Sequence, residues 1–446
     1  MFSISSVVFL IIFLFSCFVF YRNFKKIIRN INLGKDAGEF TNRRARWKNV
    51  FFIAFGQKKM FKKPIVALLH LVVYVGFVII NIEIIEIILD GILGTHRILF
   101  SPKWAGLYKI LINSFEILAL LVLIACIIFL IRRNLIKISR FWNPEMKGWP
   151  TNDANLILIF EILLMSAFLL MNTADLCLQN LSEQQLDLQS KYPNTGNFLI
   201  SGMLSPFMEQ MSVSALIFVE RFCWWFHILG ILGFLNYLVI SKHLHIILAF
   251  PNTYYGHLKP QGQFNNMKSV TNEVKIMLDP NADPFNQPTD VQPERFGAKD
   301  VTDLNWVQLL NAYSCTECGR CTSECPANVT GKKLSPRKIM MDVRDRVEEV
   351  GKGLDKHGEE FNDGKSLLNN FITSEELWAC TSCNACVEAC PLSIDPLSII
   401  LELRRYSVME ESAAPTELNS VFSNIENNGA PWQFSAADRL KWKDDE

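Results

Sequence analysis

The 446-residue chain has no net formal charge, since 44 lysines and arginines balance 44 aspartates and glutamates. The charge is unevenly spread, and its distribution matters more than the sum; no nucleic-acid partner is expected. Histidine is scarce, with seven in all, so any imidazole chemistry must come from few positions. The first apolar run has no basic residue before it and no small-residue cleavage site after it. Both absences argue against a removable signal peptide and for an uncleaved span. What the chain does have is apolar bulk. Half of it is hydrophobic, Phe alone counts 33 and the mean hydropathy is positive, a membrane-protein composition long enough for two or three domains.

Five stretches reach the ~20 apolar residues needed to cross a bilayer: roughly Phe2–Tyr21, Pro64–Ile88, Ala105–Ile131, Ala154–Ala174 and Val213–Ile240. The last is expected to run on as helix to Phe250. The loop after the first span is dense in lysine and arginine (Arg22, Lys25, Arg43, Arg44, Lys58, Lys63 among them). The loop after the third carries Arg132, Arg133, Lys137, Arg140 and Lys147. The other two loops are poor in positive charge, and the longer one is acidic (Asp175, Glu183, Asp187). Positive charge stays inside, which puts the N-terminus outside and everything after the fifth span in the cytoplasm.

Eight of the 12 cysteines form two runs of the pattern C-x2-C-x2-C-x3-C-P, at Cys315, Cys318, Cys321, Cys325 and at Cys380, Cys383, Cys386, Cys390. This is the bacterial-ferredoxin spacing for two [4Fe-4S] clusters, in which the fourth cysteine of each run serves the other run's cluster. One cluster is therefore assigned Cys315, Cys318, Cys321 and Cys390, and the other Cys380, Cys383, Cys386 and Cys325. Zinc sites use pairs of cysteines rather than two runs of four, and disulfide scaffolds are small and secreted. So many free thiolates also suit a reducing compartment, in agreement with the charge argument. Cys17, Cys126, Cys177 and Cys223 lie in apolar stretches and read as small hydrophobes.

His227 and His245 are 18 residues apart on the expected fifth helix. That is five turns, so both rings would leave one face, ~27 Å apart along the axis. His70 lies about two turns inside the cytoplasmic end of the second span, at a depth matching His245. The pair is a candidate bis-imidazole site for haem b; the alternative is interfacial or packing histidines. His227 has no histidine partner at its depth on the second span. An outer haem would need His96 to fold back from the following loop. Glu83, Glu86 and Asp90 are expected to mark the outer surface, because Pro64 to Glu83 already covers ~30 Å. Glu116 and Glu161 lie deeper and read as buried carboxylates. Residues 196–210, broken by Gly and Pro, read as a re-entrant or interfacial stretch.

Residues 251–298 read as an extended linker, 299–406 as an α-helical domain around the clusters, and 407–446 as a polar tail, partner-facing or loosely ordered. The 54 residues between the cysteine runs exceed what a small βαβ ferredoxin needs and look helical. Ser335-Pro336 and Thr373 mark helix starts. The expected fold is all-α: a five-span haem b bundle (1–250) fused to a cytoplasmic α-helical dicluster [4Fe-4S] ferredoxin domain.

The segments CTECGRCTSECPANVTGKKLSPR and LWACTSCNACVEACP strongly resemble the helical dicluster subunit of heterodisulfide reductases. The five-span half resembles the haem b subunit of those enzymes and the gamma subunit of respiratory nitrate reductase, whose fifth helix also carries two histidines 18 residues apart, matching His227 and His245. By this likeness His70 is the inner haem ligand. The second histidine of that span is replaced by Ile80, which counts against an outer haem. No two cysteines are adjacent, so the Cys-Cys modules that carry disulfide chemistry in the family are absent, and substrate chemistry is expected on a separate protein.

These readings converge on a membrane electron-transfer subunit of a quinone-linked oxidoreductase in a bacterial or archaeal cytoplasmic membrane. It would work between menaquinone or ubiquinone and a soluble partner, either a cysteine-rich iron–sulfur protein or a flavoprotein. The alternative is a membrane anchor and docking relay without a quinone site. No catalytic residue is assigned.

Overall fold

The computed structural model describes residues 4–182, 191–196, 198–260, 262–280, 295–433 and 435–444. Glu183 and Asp187, and the linker residues 281–294, lie outside the described residues. The chain is 72% helical, with no strand among the described residues; the all-α expectation holds. It divides into two compact units. One comprises Met1–Arg29, Asn42–Tyr254 and Tyr313–Gly319, the other Asn30–Thr41, Tyr255–Ala312 and Arg320–Glu446.

The first unit is a bundle of five apolar helices, each long enough to cross a membrane: α1 (Ile4–Ile31), α2 (Pro64–Leu93), α3 (Ala105–Asn134), α4 (Trp149–Ser182) and α5 (Val213–Tyr237). Neighbours in sequence pack together from α2 to α5, as short connections dictate. A Cβ on Gly76 of α2 would lie 2.5 Å from Val122 Cγ2 of α3, so glycine lets these two helices approach closely. Helix α1 seats Phe9 (1% exposed) against Trp224 and Trp225 of α5. Its Ser16 Oγ donates to Leu232 O at 3.2 Å. The outward faces stay apolar, as in lipid-facing bundles.

The fifth span does not run on to Phe250. After α5 and a single 3₁₀ turn, Ser241 takes an extended conformation (φ −111°, ψ 150°), and a new helix, α6 (His245–Tyr255), begins beyond another 3₁₀ turn. The break has a definite cause. Asp153 of α4 accepts from Tyr237 Oη, from Ser241 Oγ (2.7 Å) and from the Lys242 N–H (3.0 Å). A carboxylate thus takes a backbone donor that a continuous helix would have used. The five-turn register between His227 and His245 is lost with it.

The second unit is built on α8 (Pro336–His357) and α9 (Pro396–Met409). Ser335 caps α8 with proline at its first turn, and Thr373 and Glu376 form a capping box on the short helix Ser374–Trp378. Its core holds Ile339, Val343, Val347, Leu367, Ile372, Leu377, Ile399 and Leu403, all at 0% exposure. Arg346, 3% exposed, ties three segments together through Asp300, Asp363 and the Lys365 carbonyl.

The expected boundaries shift in three places. Residues 30–41 belong to this second unit, where Lys35 N–H donates to Leu304 O (2.8 Å) and Trp306 N–H to Lys35 O (3.0 Å). The stretch 251–298 is not simply extended: α6 continues through Tyr255, and an amphipathic helix, α7 (Lys268–Leu278), follows, with Val270, Val274 and Met277 at helical spacing. The tail carries α10 (Thr416–Asn428), closed by Gly429 at φ 65°.

Candidate functional site

The two cysteine runs share one backbone shape. Glu317 and Gly319 in the first, and Ser382 and Asn384 in the second, all lie in the left-handed region, at φ 54°, 71°, 54° and 60°. Three of the four are not glycine, and each therefore carries a conformational cost. Backbone in this conformation turns successive N–H groups toward one side of a loop. The Ser382 N–H donates to Cys380 Sγ at 3.4 Å. Cys315, Cys325 and Cys386 are buried, Cys318, Cys321, Cys380 and Cys390 partly so, and Cys383 is exposed.

The short helices Arg320–Ser323 and Ala385–Ala389, which follow the two loops, pack on one another. This brings Cys325 beside Cys380 and Cys386. Burial, then Asp395 and the thiolates of Cys380 and Cys325, push the Cys386 thiol up, and burial raises Cys380 as well. Buried thiols crowded in this way are hard to ionise until bound iron balances their charge. The donor set therefore fits a cubane, which takes one ligand per iron. Among the described residues no three His, Cys, Asp or Glu side chains converge on a single ion.

Sequence reasoning missed Arg404, on α9. Its guanidinium donates to Cys380 O (2.6 Å), to Leu377 O (2.8 Å) and to Ser382 Oγ (3.3 Å), and lies 4.8 Å from the centre of the Trp378 ring. Arg404 draws Cys380 down against its burial. Nothing in local spacing marks this arginine, 24 residues beyond Cys380.

At the end of the bundle where α2 begins and α5 ends, the structure gathers His70, His243 and His245. The rings of His243 and His245 are 5.3 Å apart. Burial, then the nearby His245 and His70, push His243 down to about 3, so it is neutral at any ordinary pH. His70 Nδ1 faces Gln57 Oε1 at 3.1 Å, and His245 Nδ1 faces Lys242 O at 3.1 Å. Both partners are oxygen acceptors, so each Nδ1 carries the proton and each Nε2 keeps its lone pair, the tautomer that a metal-ligating imidazole needs. Gln57, buried and at φ 48°, follows a π-helical segment at Val50–Phe55, a feature common at functional sites. With these tautomers His70 and His245 are residues that would hold a haem b.

His227 is 1% exposed, and its Nδ1 donates to Leu164 O at 3.0 Å. It has the same tautomer, but no described contact brings a second histidine to it. His96 does not fit as the outer ligand. Its Nε2 faces Asp175 Oδ1 at 3.0 Å and its Nδ1 faces Arg221 Nη2 at 3.5 Å, so both nitrogens are engaged in an ion network.

That network overturns the surface reading of Glu83, Glu86 and Asp90, which are 2%, 3% and 7% exposed. Arg97, in the loop after α2, turns inward and contacts Glu83, Asp175 and Asn172. Its N–H and that of Ile98 cap Asp90 (2.8 and 3.1 Å), while Tyr108 and the Leu99 N–H satisfy Glu86. The acids, Arg97, His96, Glu220 and Trp224 line a cavity of about 20 Å³, room for about one water. Glu116, at 0% exposure, accepts from Ser201 and from the Ile200 N–H (2.9 Å), which draws part of the 196–210 stretch onto the bundle.

Residues 314–394 match the 4Fe-4S dicluster domain family. The chain is 29% identical to the probable iron-sulfur-binding oxidoreductase FadF of Bacillus subtilis, over 99% of this chain and 61% of that protein. It is 28% identical to the EtfAB:quinone oxidoreductase of Syntrophomonas wolfei, over 89% of this chain and 53% of the relative. One component of the ferredoxin/F(420)H(2)-dependent CoB-CoM heterodisulfide reductase of Methanosarcina acetivorans is 34% identical, over 26% of this chain and 60% of that component. The chain thus spans between half and two thirds of these relatives. No solved structure matches it. Its homologues are iron–sulfur oxidoreductases and parts of heterodisulfide reductases, and the chain fits the heterodisulfide-reductase-like iron–sulfur oxidoreductases with a 4Fe-4S dicluster domain.

Proposed function

We propose that the chain is a membrane electron-transfer subunit of a quinone-linked oxidoreductase, relaying electrons between the quinone pool and a soluble partner. Haem b is held by His70 and His245, one cluster by Cys315, Cys318, Cys321 and Cys390, and the other by Cys380, Cys383, Cys386 and Cys325. When bound, these groups supply one-electron acceptors in series. The chain's own residues do the rest. Gln57 and the Lys242 carbonyl fix the imidazole tautomers, the left-handed turns aim the thiolates, and Arg404 sets a positive charge beside Cys380.

The observation that carries this reading is the meeting of His70, His243 and His245 with Lys242, whose ammonium pairs with Glu317 between Cys315 and Cys318. These residues, Cys315 and Cys318 included, all lie in the bundle-forming unit. The exposed Cys383 marks the side at which a soluble partner would exchange electrons. The name of the Syntrophomonas relative favours a partner of the EtfAB type and a quinone substrate, either menaquinone or ubiquinone. The lysine- and arginine-rich loops support an N-terminus outside and clusters in the cytoplasm of a bacterial or archaeal cell.

The test is reoxidation of the dithionite-reduced protein in lipid nanodiscs by menaquinone and ubiquinone analogues, followed in the haem and cluster absorbance. Rapid bleaching with either quinone is expected. Full cofactor content with no quinone response would leave the membrane half as an anchor and docking relay.

A further inference from the structure

Four contacts meet at Lys242. Its carbonyl accepts from His245 Nδ1 at 3.1 Å, and its N–H donates to Asp153 Oδ2 at 3.0 Å. Its ammonium donates to Pro150 O at 2.6 Å and pairs with Glu317. The pair is secluded, with the lysine and glutamate side chains 10% and 3% exposed.

Two features at Glu317 are costly. It is a charged residue in the left-handed region, and its carboxylate is buried. Isolated buried ion pairs seldom out-stabilise apolar replacements, and left-handed backbone outside glycine persists only where its surroundings impose it. The equivalent position of the second run shows that the loop does not need a charge. Ser382 has the same φ of 54°, and its neutral hydroxyl accepts from Arg404. Costs at one residue between two cluster ligands, not repeated in the sister loop, point to a role in holding that loop. A second contact agrees: Ser314 Oγ, beside Cys315, reaches Leu248 O on α6 at 3.5 Å.

We infer that Lys242 is a positioning residue for electron exchange. Through its ammonium it seats the Cys315–Cys318 loop, and through its carbonyl it fixes His245, so that the separation of cluster loop and axial imidazole is set by one residue. Asp153 anchors that residue to α4. The inference rests on the His245 haem ligation proposed above.

The experiment compares Lys242→Met, Glu317→Gln and the charge swap Lys242→Glu with Glu317→Lys in the full chain in nanodiscs. Hydrogen exchange of residues 313–319 is expected to rise at least about tenfold in both single variants and to return toward the parent in the swap. The reduction potential of the first cluster, read by EPR titration, should fall in Lys242→Met and rise in Glu317→Gln, because one removes a positive and the other a negative charge. A merely structural lysine would not give opposite signs. The rate of electron equilibration between cluster and haem should drop in both. If Lys242→Met does not fold, Glu317→Gln still decides, since it leaves the contacts to Pro150, Asp153 and His245 in place. Unchanged exchange and potentials of the same sign would overturn the inference. Absence of haem would sink the haem reading alone, and the exchange and potential measurements would still judge the clamp.

Discussion

Arg404 offers the sharpest handle on a single centre. Its guanidinium is fixed by two carbonyls and a hydroxyl around the second cysteine run and lies over Trp378. At an effective dielectric of about 20, a unit charge within several ångströms of another is worth about 2–4 kcal/mol. Arg404 is partly exposed, and solvent screening reduces this to about 1–2 kcal/mol. For a one-electron couple, that corresponds to about 40–90 mV. Reduction adds negative charge, which the guanidinium stabilises, so Arg404→Met should lower the potential of the second cluster by that amount and leave the first unchanged. EPR-monitored redox titration of the full chain measures both. Arg404→Lys, which keeps the charge but loses the fork of donors, should recover most of the shift. A change below about 20 mV, or an equal shift of both clusters, would refute the electrostatic role given to this residue.

Two predictions concern the frame around the sites. Arg346→Met strands Asp300 and Asp363, both partly buried, and should cost the second unit about 1–3 kcal/mol, read as a lowered unfolding midpoint. Hydrogen bonding from Arg346 also holds Asp363 below the usual carboxylate range. Its contribution is thus complete above about pH 4, disappears as pH falls through the lowered native value, and should be missing from the acid limb of the variant. Asp153→Ala removes the acceptor shared by Tyr237, Ser241 and the Lys242 N–H. At about 1–3 kcal/mol per buried donor left unsatisfied, it should destabilise the bundle by several kcal/mol. It should also increase hydrogen exchange at Ser241–Leu244 before exchange elsewhere in the unit changes.

Much of this molecule is legible in its sequence, for a physical reason: both strong signals are local. Apolar runs of spanning length, and a four-cysteine pattern repeated with its proline, depend on neighbours in the chain. All five apolar helices of spanning length and the helical nature of the second unit could be read from them. The failures are non-local. Ser241 sits in a stretch that carries no glycine or proline to stop a helix, and the carboxylate that opens it belongs to Asp153, 88 residues earlier. Glu83, Glu86 and Asp90 looked like surface markers because their counter-charge, Arg97, lies beyond the end of their own helix and turns back. Gln57, Lys242 and Arg404 carry no motif, since a residue that orients a ligand is defined by where the fold places it. Residues 30–41 join the second unit through two hydrogen bonds to Leu304 and Trp306 that no spacing rule announces.

The most direct test of the central claim is pyridine haemochrome content per chain of purified protein, alongside His70→Ala, His245→Ala and His227→Ala, with iron and sulfide counted in the same samples. The account predicts one haem b, lost in His70→Ala and His245→Ala and kept in His227→Ala, with two [4Fe-4S] clusters throughout. A haem retained in both His70→Ala and His245→Ala, or clusters without any haem in the parent, would contradict it.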